Sequence, residues 1–177
     1  VGTETQPVEL PQGTLLNGKY RIERSLGQGG MGAVYLAENQ GVGRRVAIKV
    51  LRAELAHDPD TLGRFKQEAR AAAAIGHPGI VDVYDLDSLP DGSPFIVMEW
   101  LDGETLRDRL KRERLLSTTE AAQIVANVLQ ILSAAHDKGV IHRDLKPDNI
   151  FLVYRPVPMV KVLDWGISKF RTLGPDV

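Results

Sequence analysis

His142-Arg143-Asp144-Leu145-Lys146-Pro147-Asp148-Asn149 lies directly after a long apolar-patterned segment that opens on Ser117, Thr118, Thr119, Glu120 and closes at Gly139. A capping box at one end and a glycine at the other mark that segment as a helix, so the octapeptide is a polar loop at the helix end. Its side chains suit one chemistry. Asp144 can accept the hydrogen bond of a hydroxyl and aim it for in-line attack, Asn149 offers an amide oxygen to magnesium, and Lys146 can neutralise charge on a group in transfer. A plain polar loop with a buried His142 and a capping Asp144 is the competing reading, and the number of matched positions weighs against it. His142 itself reads as structural, because His57, His77 and His136 form no metal-ligand spacing with it.

On the C-terminal side, Val160, Val162 and Leu163 form an apolar strand pattern that runs into Asp164, Trp165 and Gly166. A carboxylate at the end of a buried strand, beside a glycine that permits a turn, is placed to hold a magnesium ion between phosphates. On the N-terminal side the long helix carries Ala121, Ile124, Val125, Val128, Leu129, Ile131, Leu132 and Ala135, a wide apolar face suited to a buried helix. Before it, a short amphipathic helix is expected over Thr105 to Arg114. There Asp108 and Glu113 interrupt the basic residues, and the stretch reads as a solvated face.

The first hundred residues read as a sheet with one helix. Tyr20 and Ile22 alternate with charged residues, a glycine cluster follows, Val34 and Leu36 alternate again, and Arg45 to Leu51 makes a third strand in an antiparallel meander. Asp58 and Pro59 start a helix with Leu62, Phe65, Ala69 and Ala72 at helical intervals, ending near Gly76. Strands over Ile80 to Leu86 and Phe95 to Trp100 complete five, joined through Pro90, Asp91 and Gly92. Glycines at 27, 29 and 32 let backbone amides approach phosphate oxygens. A dinucleotide-binding turn would have to lead into a helix, which this one does not, and a hairpin without ligand stays open on these residues alone. Lys49 sits in a half-buried strand where a cation needs a partner. Glu68, three residues after Phe65 on the core-facing side of the helix, is the candidate, although a solvent-exposed carboxylate is the ordinary state of a glutamate.

Composition narrows the function classes. An apolar fraction of 43% with 25% charged residues describes a chain that can bury a core. A net charge of −1 supplies no electrostatic reason for nucleic acid or an anionic membrane as partner, and the absence of cysteine excludes a thiolate metal site or a Cys nucleophile. No apolar run approaches a membrane-spanning helix, nothing at the start resembles a signal peptide, and a cytoplasmic location is the default, with a downstream membrane anchor left open. Residues 1–13 read as a flexible tail, 14–101 as a first lobe and 102–177 as a partial second lobe.

The order GxGxxGxV (from Gly27), VAIK (Val46 to Lys49), helix Glu68, HRDLKPDN and DWG resembles the eukaryotic-like protein kinases, and GQGGMGAVYLAE, HPGIV and MEWLDG look most like the bacterial, Hanks-type serine/threonine members. The resemblance covers about Lys19 to Gly166. It implies an α+β kinase fold, with a five-stranded antiparallel first lobe carrying one helix and an incomplete helical second lobe, and ATP with Mg2+ as donor and cofactor in the cleft. It implies transfer of the γ-phosphoryl to serine or threonine hydroxyls of protein substrates. By resemblance, Gly27, Gly29, Gly30 and Gly32 cover the phosphates and Lys49, paired with Glu68, reaches them. Met98 is then the gatekeeper, Glu99 and Leu101 offer backbone groups to adenine, and Val34, Ala47 and Phe151 sandwich the ring. Asp144 and Lys146 act in catalysis, Lys146 marking serine/threonine specificity, while Asn149 and Asp164 bind metal. Arg143 before Asp144 suggests control by a phosphorylated activation loop. Trp165 departs from the usual Phe. The activation-loop phosphosite, the APE motif and the later helices are absent, so a truncated domain is expected, with Ile124, Val128, Ile131 and Leu132 uncovered and the chain poorly stable. A nucleotide-binding pseudokinase or non-catalytic fragment acting as a regulatory module is the alternative.

Overall fold

A computed structural model describes residues 10–165, so the start of the expected tail, Gly166 and everything after it lie outside the described residues. The chain divides into two compact units, one holding the residues up to Ala69 with Val81–Asp102, the other Arg70–Ile80 with the residues from Gly103 on. Arg70–Ile80, which the sequence places in the first lobe, therefore clusters with the second.

The first unit is built on β1 (Leu15–Leu16), β2 (Tyr20–Gln28), β3 (Gly32–Asn39) and β4 (Arg44–Leu51), then α1 (Ala53–Ala56), α2 (Pro59–Ile75), β5 (Val83–Ser88) and β6 (Pro94–Glu99). The sheet has six strands in the order β1-β2-β3-β4-β6-β5, all antiparallel. Five strands and one helix were expected. The additional β1 is two residues long and α1 four, too short to carry a periodic signal. The fourth expected strand starts at Val83 rather than Ile80, because Ile80 bridges to Val162 in the second unit.

Strand alternation sorts this sheet into two faces. Tyr35, Ala37, Val46, Ile48, Val50, Phe95 and Val97 bury one face in a core of their own. Residues one position away, Val34, Ala47, Lys49, Ile96 and Met98, occupy the other by the period-two geometry of strands and the register Val34↔Lys49↔Ile96 and Ala47↔Met98. Ile96 packs there with Leu51 and with Phe65 and Ala69 of α2. Burying a Phe completely contributes roughly 1.5–3 kcal/mol, so Phe65 fixes the rotation of α2 about its axis. Asp58 caps that helix, its Oδ2 accepting from Thr61 N at 3.1 Å.

The second unit comprises β7 (Asp102–Thr105), α3 (Leu106–Glu113), α4 (Thr118–Asp137), a 3₁₀ turn (Pro147–Asn149), β8 (Ile150–Arg155) and β9 (Met159–Val162), the strands forming a small sheet in the order β7-β8-β9. Gly103 makes the β7–β8 approach possible: a Cβ there would stand 1.9 Å from Leu152 O. Ser117 Oγ accepts from Glu120 N at 3.1 Å, the cap the sequence announced.

The basic face of α3 buries no residue and is laced with ion pairs. Arg109 pairs with Glu113 at 2.9 Å and Glu120 at 3.0 Å, and Arg112 with Glu104 at 2.5 Å. One expectation fails here: the long helix is not bare on the residues named for it. Ile124, Val128 and Ile131 are buried, and Leu132 packs against the same cluster, which contains Ile75, Ile80, Val140, Val162 and Trp165. The apolar positions of α4 left open are Val125 (56% exposed) and Leu129 (60%). The unit's own end of α2, its small sheet and the segment around Ile80 supply the cover that later helices were expected to provide.

Candidate functional site

In the first unit, the glycine-rich turn joins β2 to β3. Gly29 and Gly32 exchange backbone hydrogen bonds at 2.8 and 3.3 Å, and Gly27 faces Val34 across the strand pair. The glycines differ in what demands them. At Gly32 a Cβ would lie 1.9 Å from Val50 O, so the strand packing itself excludes any other residue, whereas at Gly27, Gly29 and Gly30 it would meet nothing within 4 Å. The fold makes no steric demand for glycine at those three positions. Open space over these glycines lets phosphate oxygens come close to the turn's backbone.

On the α2-facing side of the same sheet, Lys49 Nζ donates to Glu68 Oε1 at 2.7 Å, both side chains about four-fifths buried (18% and 19% exposed). The seating of Phe65 one turn earlier on α2 turns Glu68 to the sheet. Val34 and Ala47 share the face with Lys49, and Met98 stands beside Ala47. Glu99 donates its N–H to Asp82 O at 2.9 Å and accepts from Asp82 N at 2.9 Å through its carboxylate. Its N–H is therefore engaged, and the backbone group it can present to a base is its carbonyl. Leu101 follows in the connection to β7.

In the second unit the loop after α4 gathers Asp144, Lys146 and Asn149. Lys146 Nζ donates to Asp144 Oδ2 at 2.7 Å, and Asn149 Nδ2 donates to Asp144 O at 2.8 Å and to Asp144 Oδ2 at 3.3 Å. Both side-chain contacts fall on one carboxylate oxygen, Oδ2. The Lys146 hydrogen bond holds the Asp144 carboxyl below the ordinary aspartate range, against desolvation and with help from Asn149 and His142. Reciprocally, Asp144, and then the charges of Asp148 and Asp164, push the Lys146 ammonium up.

Asp164 is brought to this loop by the backbone. Leu163 N donates to Asn149 O at 2.8 Å, and Leu163 O takes the His142 Nε2 proton at 2.8 Å. Because Asn149 uses its Nδ2 on Asp144, its Oδ1 is the atom turned elsewhere. An amide oxygen and a carboxylate are hard donors suited to magnesium. No cluster of three or more His, Cys, Asp or Glu side chains occurs among the described residues. The donor set thus fits an ion that completes its shell with water and phosphate oxygens, as magnesium does. Phe151, on β8 opposite Lys161, lies against Gly103. Gly166 falls outside the described residues.

One partner escaped the sequence. Arg107 of α3 pairs with Asp148 inside the loop and holds that carboxyl below its ordinary range. The two residues are 41 positions apart, and no local pattern connects them.

Residues 20–176 match a family model described as the protein kinase domain. The chain is 48% identical over 154 residues to the serine/threonine-protein kinase Pkn1 of Myxococcus xanthus, an alignment covering 86% of the chain and 22% of that relative. It is 42% identical over 167 residues to PknA of Mycobacterium tuberculosis, covering 92% of the chain and 38% of PknA. A crystal structure of the M. tuberculosis PknI kinase domain superposes with a TM-score of 0.76 at 32% identity, covering 91% of this chain and 63% of that one. The chain therefore spans between about a fifth and two fifths of these curated relatives.

Proposed function

The chain belongs to the protein kinase family, and from that premise we propose that it carries the nucleotide-binding and catalytic residues of an ATP-dependent serine/threonine kinase. The observation that carries this reading is the Asp144–Lys146–Asn149 cluster, a carboxylate kept ionised and held by both partners on one oxygen. Asp144 accepts the hydrogen bond of a serine or threonine hydroxyl and orients its oxygen in line with the γ-phosphorus of ATP. The new O–P bond forms as the bond to the β-phosphate oxygen breaks, and the hydroxyl proton leaves toward Asp144. Lys146 lends positive charge to the phosphoryl oxygens, and Lys49, held by Glu68, does the same at the α- and β-phosphates. Asn149 and Asp164 would hold magnesium, which when bound neutralises charge shared between the β- and γ-phosphates. The turn of Gly27, Gly29, Gly30 and Gly32 covers the phosphates, its Gly29 and Gly32 amides bonded to each other's carbonyls and its Gly30 in open space. Val34, Ala47, Met98 and Phe151 supply apolar surface for the adenine, with the Glu99 carbonyl and Leu101 as its backbone partners.

No helix among the described residues is long and apolar enough to cross a membrane. A cytoplasmic location, where ATP is supplied, is part of this proposal. The test is Asp144→Asn, which keeps shape and removes the carboxylate. In a protein that carries the complete kinase domain, wild type should transfer radiolabelled γ-phosphate from Mg·ATP to a generic serine/threonine protein substrate and the variant should bind ATP equally while transfer collapses, whereas residues 1–177 alone should show no measurable transfer. Equal transfer by both would remove Asp144 and its loop from the chemistry, and ATP binding without transfer by either would favour a non-catalytic nucleotide-binding module.

A further inference from the structure

We infer that Trp165 is a positioning residue for Asp164, acting through its indole N–H as well as its bulk. The inference rests on the assignment of Asp164 to magnesium made above. Trp165 is 2% exposed, stacks on His142 with ring centroids 4.9 Å apart and planes tilted by 57°, and donates from Nε1 to Val162 O at 3.1 Å. Val162 is fully buried, so this hydrogen bond lies in the core and spans the two residues between its ends, Leu163 and the exposed Asp164.

The backbone of Asp164 makes that closure matter. Its φ is +49°, in the left-handed region, which a non-glycine residue adopts at a cost and keeps only when its surroundings over-determine it. On the N-terminal side the determination comes from Leu163, whose N–H bonds to Asn149 O and whose C=O bonds to His142 Nε2. On the C-terminal side the indole bond is the matching anchor. A phenyl ring at the same position keeps the contact with His142 but has no donor, so it leaves the turn closed by packing alone. A buried Trp N–H ordinarily finds an acceptor, and here the acceptor belongs to the strand that delivers Asp164. The consequence is a carboxylate pre-organised before any metal arrives, so that metal binding does not have to order the turn.

The test compares wild type with Trp165→Phe and with a variant carrying benzothienylalanine at 165, which keeps the indole shape without the N–H. Amide hydrogen exchange of the full chain without nucleotide should quicken at Leu163 and Asp164 by about 2- to 10-fold in both variants, the range for one net hydrogen bond. Exchange in α4 around Ile131 should not change in the benzothienyl variant. The gain in ATP affinity on adding Mg2+ should shrink by a similar factor, while affinity in excess chelator stays the same. Unaltered exchange at Leu163 and Asp164 in the benzothienyl variant, or equal acceleration there and in α4, would overturn the inference, the second outcome leaving Trp165 a packing residue. If wild type showed no magnesium-dependent gain, the assignment of Asp164 to the metal would fall instead. The exchange result, read without nucleotide, would still decide what the indole does to the turn.

Discussion

Lys49→Met, Glu68→Gln and their combination separate what the Lys49–Glu68 pair does for the fold from what Lys49 does for chemistry. The two side chains meet at 2.7 Å and are about four-fifths buried, between the exposed pairs worth ~0–1 kcal/mol and the fully buried ones whose breakage costs ~3–5 kcal/mol. Each single variant breaks the pair and should cost about 1–3 kcal/mol. Against a total stability of ~5–15 kcal/mol the fold survives, with a melting temperature lowered by roughly 2–4 °C per kcal/mol. The double variant removes both charges and should recover part of the loss, giving a coupling of about 1–2 kcal/mol in a double-mutant cycle. Activity should behave differently. Loss of the Lys49 charge from the phosphates should lower phosphoryl transfer by roughly 10²–10³-fold, and the second substitution should restore none of it. Thermal melts and initial rates with Mg·ATP measure both. Zero coupling in the melts would refute the pair as a structural element, and near-wild-type transfer by Lys49→Met would refute the assignment of Lys49 to the phosphates.

The glycine turn offers a second separation. Gly32→Ala drives a Cβ to 1.9 Å from Val50 O and should unfold or severely destabilise the first unit, whereas Gly29→Ala meets open space and should melt with wild type, so any ATP affinity it loses belongs to the ligand. A stable Gly32→Ala would show that the β3–β4 contact can relax. On α4, Ile131→Ala should cost roughly 2–5 kcal/mol by denaturant titration and Leu129→Ala under about 0.5 kcal/mol, since the first is 2% exposed and the second 60%. Equal costs would mean the helix is rotated from the orientation described. Lys146→Met should raise the Asp144 pKa toward the ordinary aspartate value, because the Lys146 hydrogen bond is the leading cause of its depression. The sign follows: a carboxylate depressed in the folded state stabilises above its unfolded pKa and loses that contribution as pH falls through the folded one, so the variant has less to lose and finishes losing it at higher pH. Carboxyl-carbon NMR titration of Asp144 reads this directly, and an unmoved pKa would remove Lys146 as its cause.

What could be read without coordinates was what nearest neighbours along the chain determine. The Ser117 cap, the start of α2 at Asp58 and Pro59, the strand pattern around Lys49 and the inward side of α2 at Glu68 all follow from contacts within a few residues or from periodicity. The pairs that stayed hidden span long separations: Arg107 with Asp148, and Tyr154 with Glu104 across 50 residues. β7 was hidden for another reason. All four of its residues are half-buried, so no alternation marks it, and its place is set by a glycine that lets β8 come close.

The long helix shows where periodicity stops being informative. Ile124, Val128, Ile131 and Ala135 form one apolar stripe on α4, with Val125 and Leu129 flanking it, and a 3.6-residue repeat identifies both as apolar without ranking them. Which stripe is covered depends on elements far away in sequence. Ile75 and Ile80 precede the helix, Val140 follows it, and Val162 and Trp165 arrive from the last described strand and turn. The same residues that close this core also deliver the chemistry, because Val162 and Trp165 flank Leu163 and Asp164 while His142 ties Leu163 to the Asp144 loop. Burial of the Ile131 stripe and presentation of the Asp164 carboxylate are therefore one packing event in the second unit. A cavity opened in this shared core, as by Ile131→Ala, should loosen the turn that carries Asp164 and speed amide exchange at Leu163, although it substitutes neither Asp164 nor Asn149.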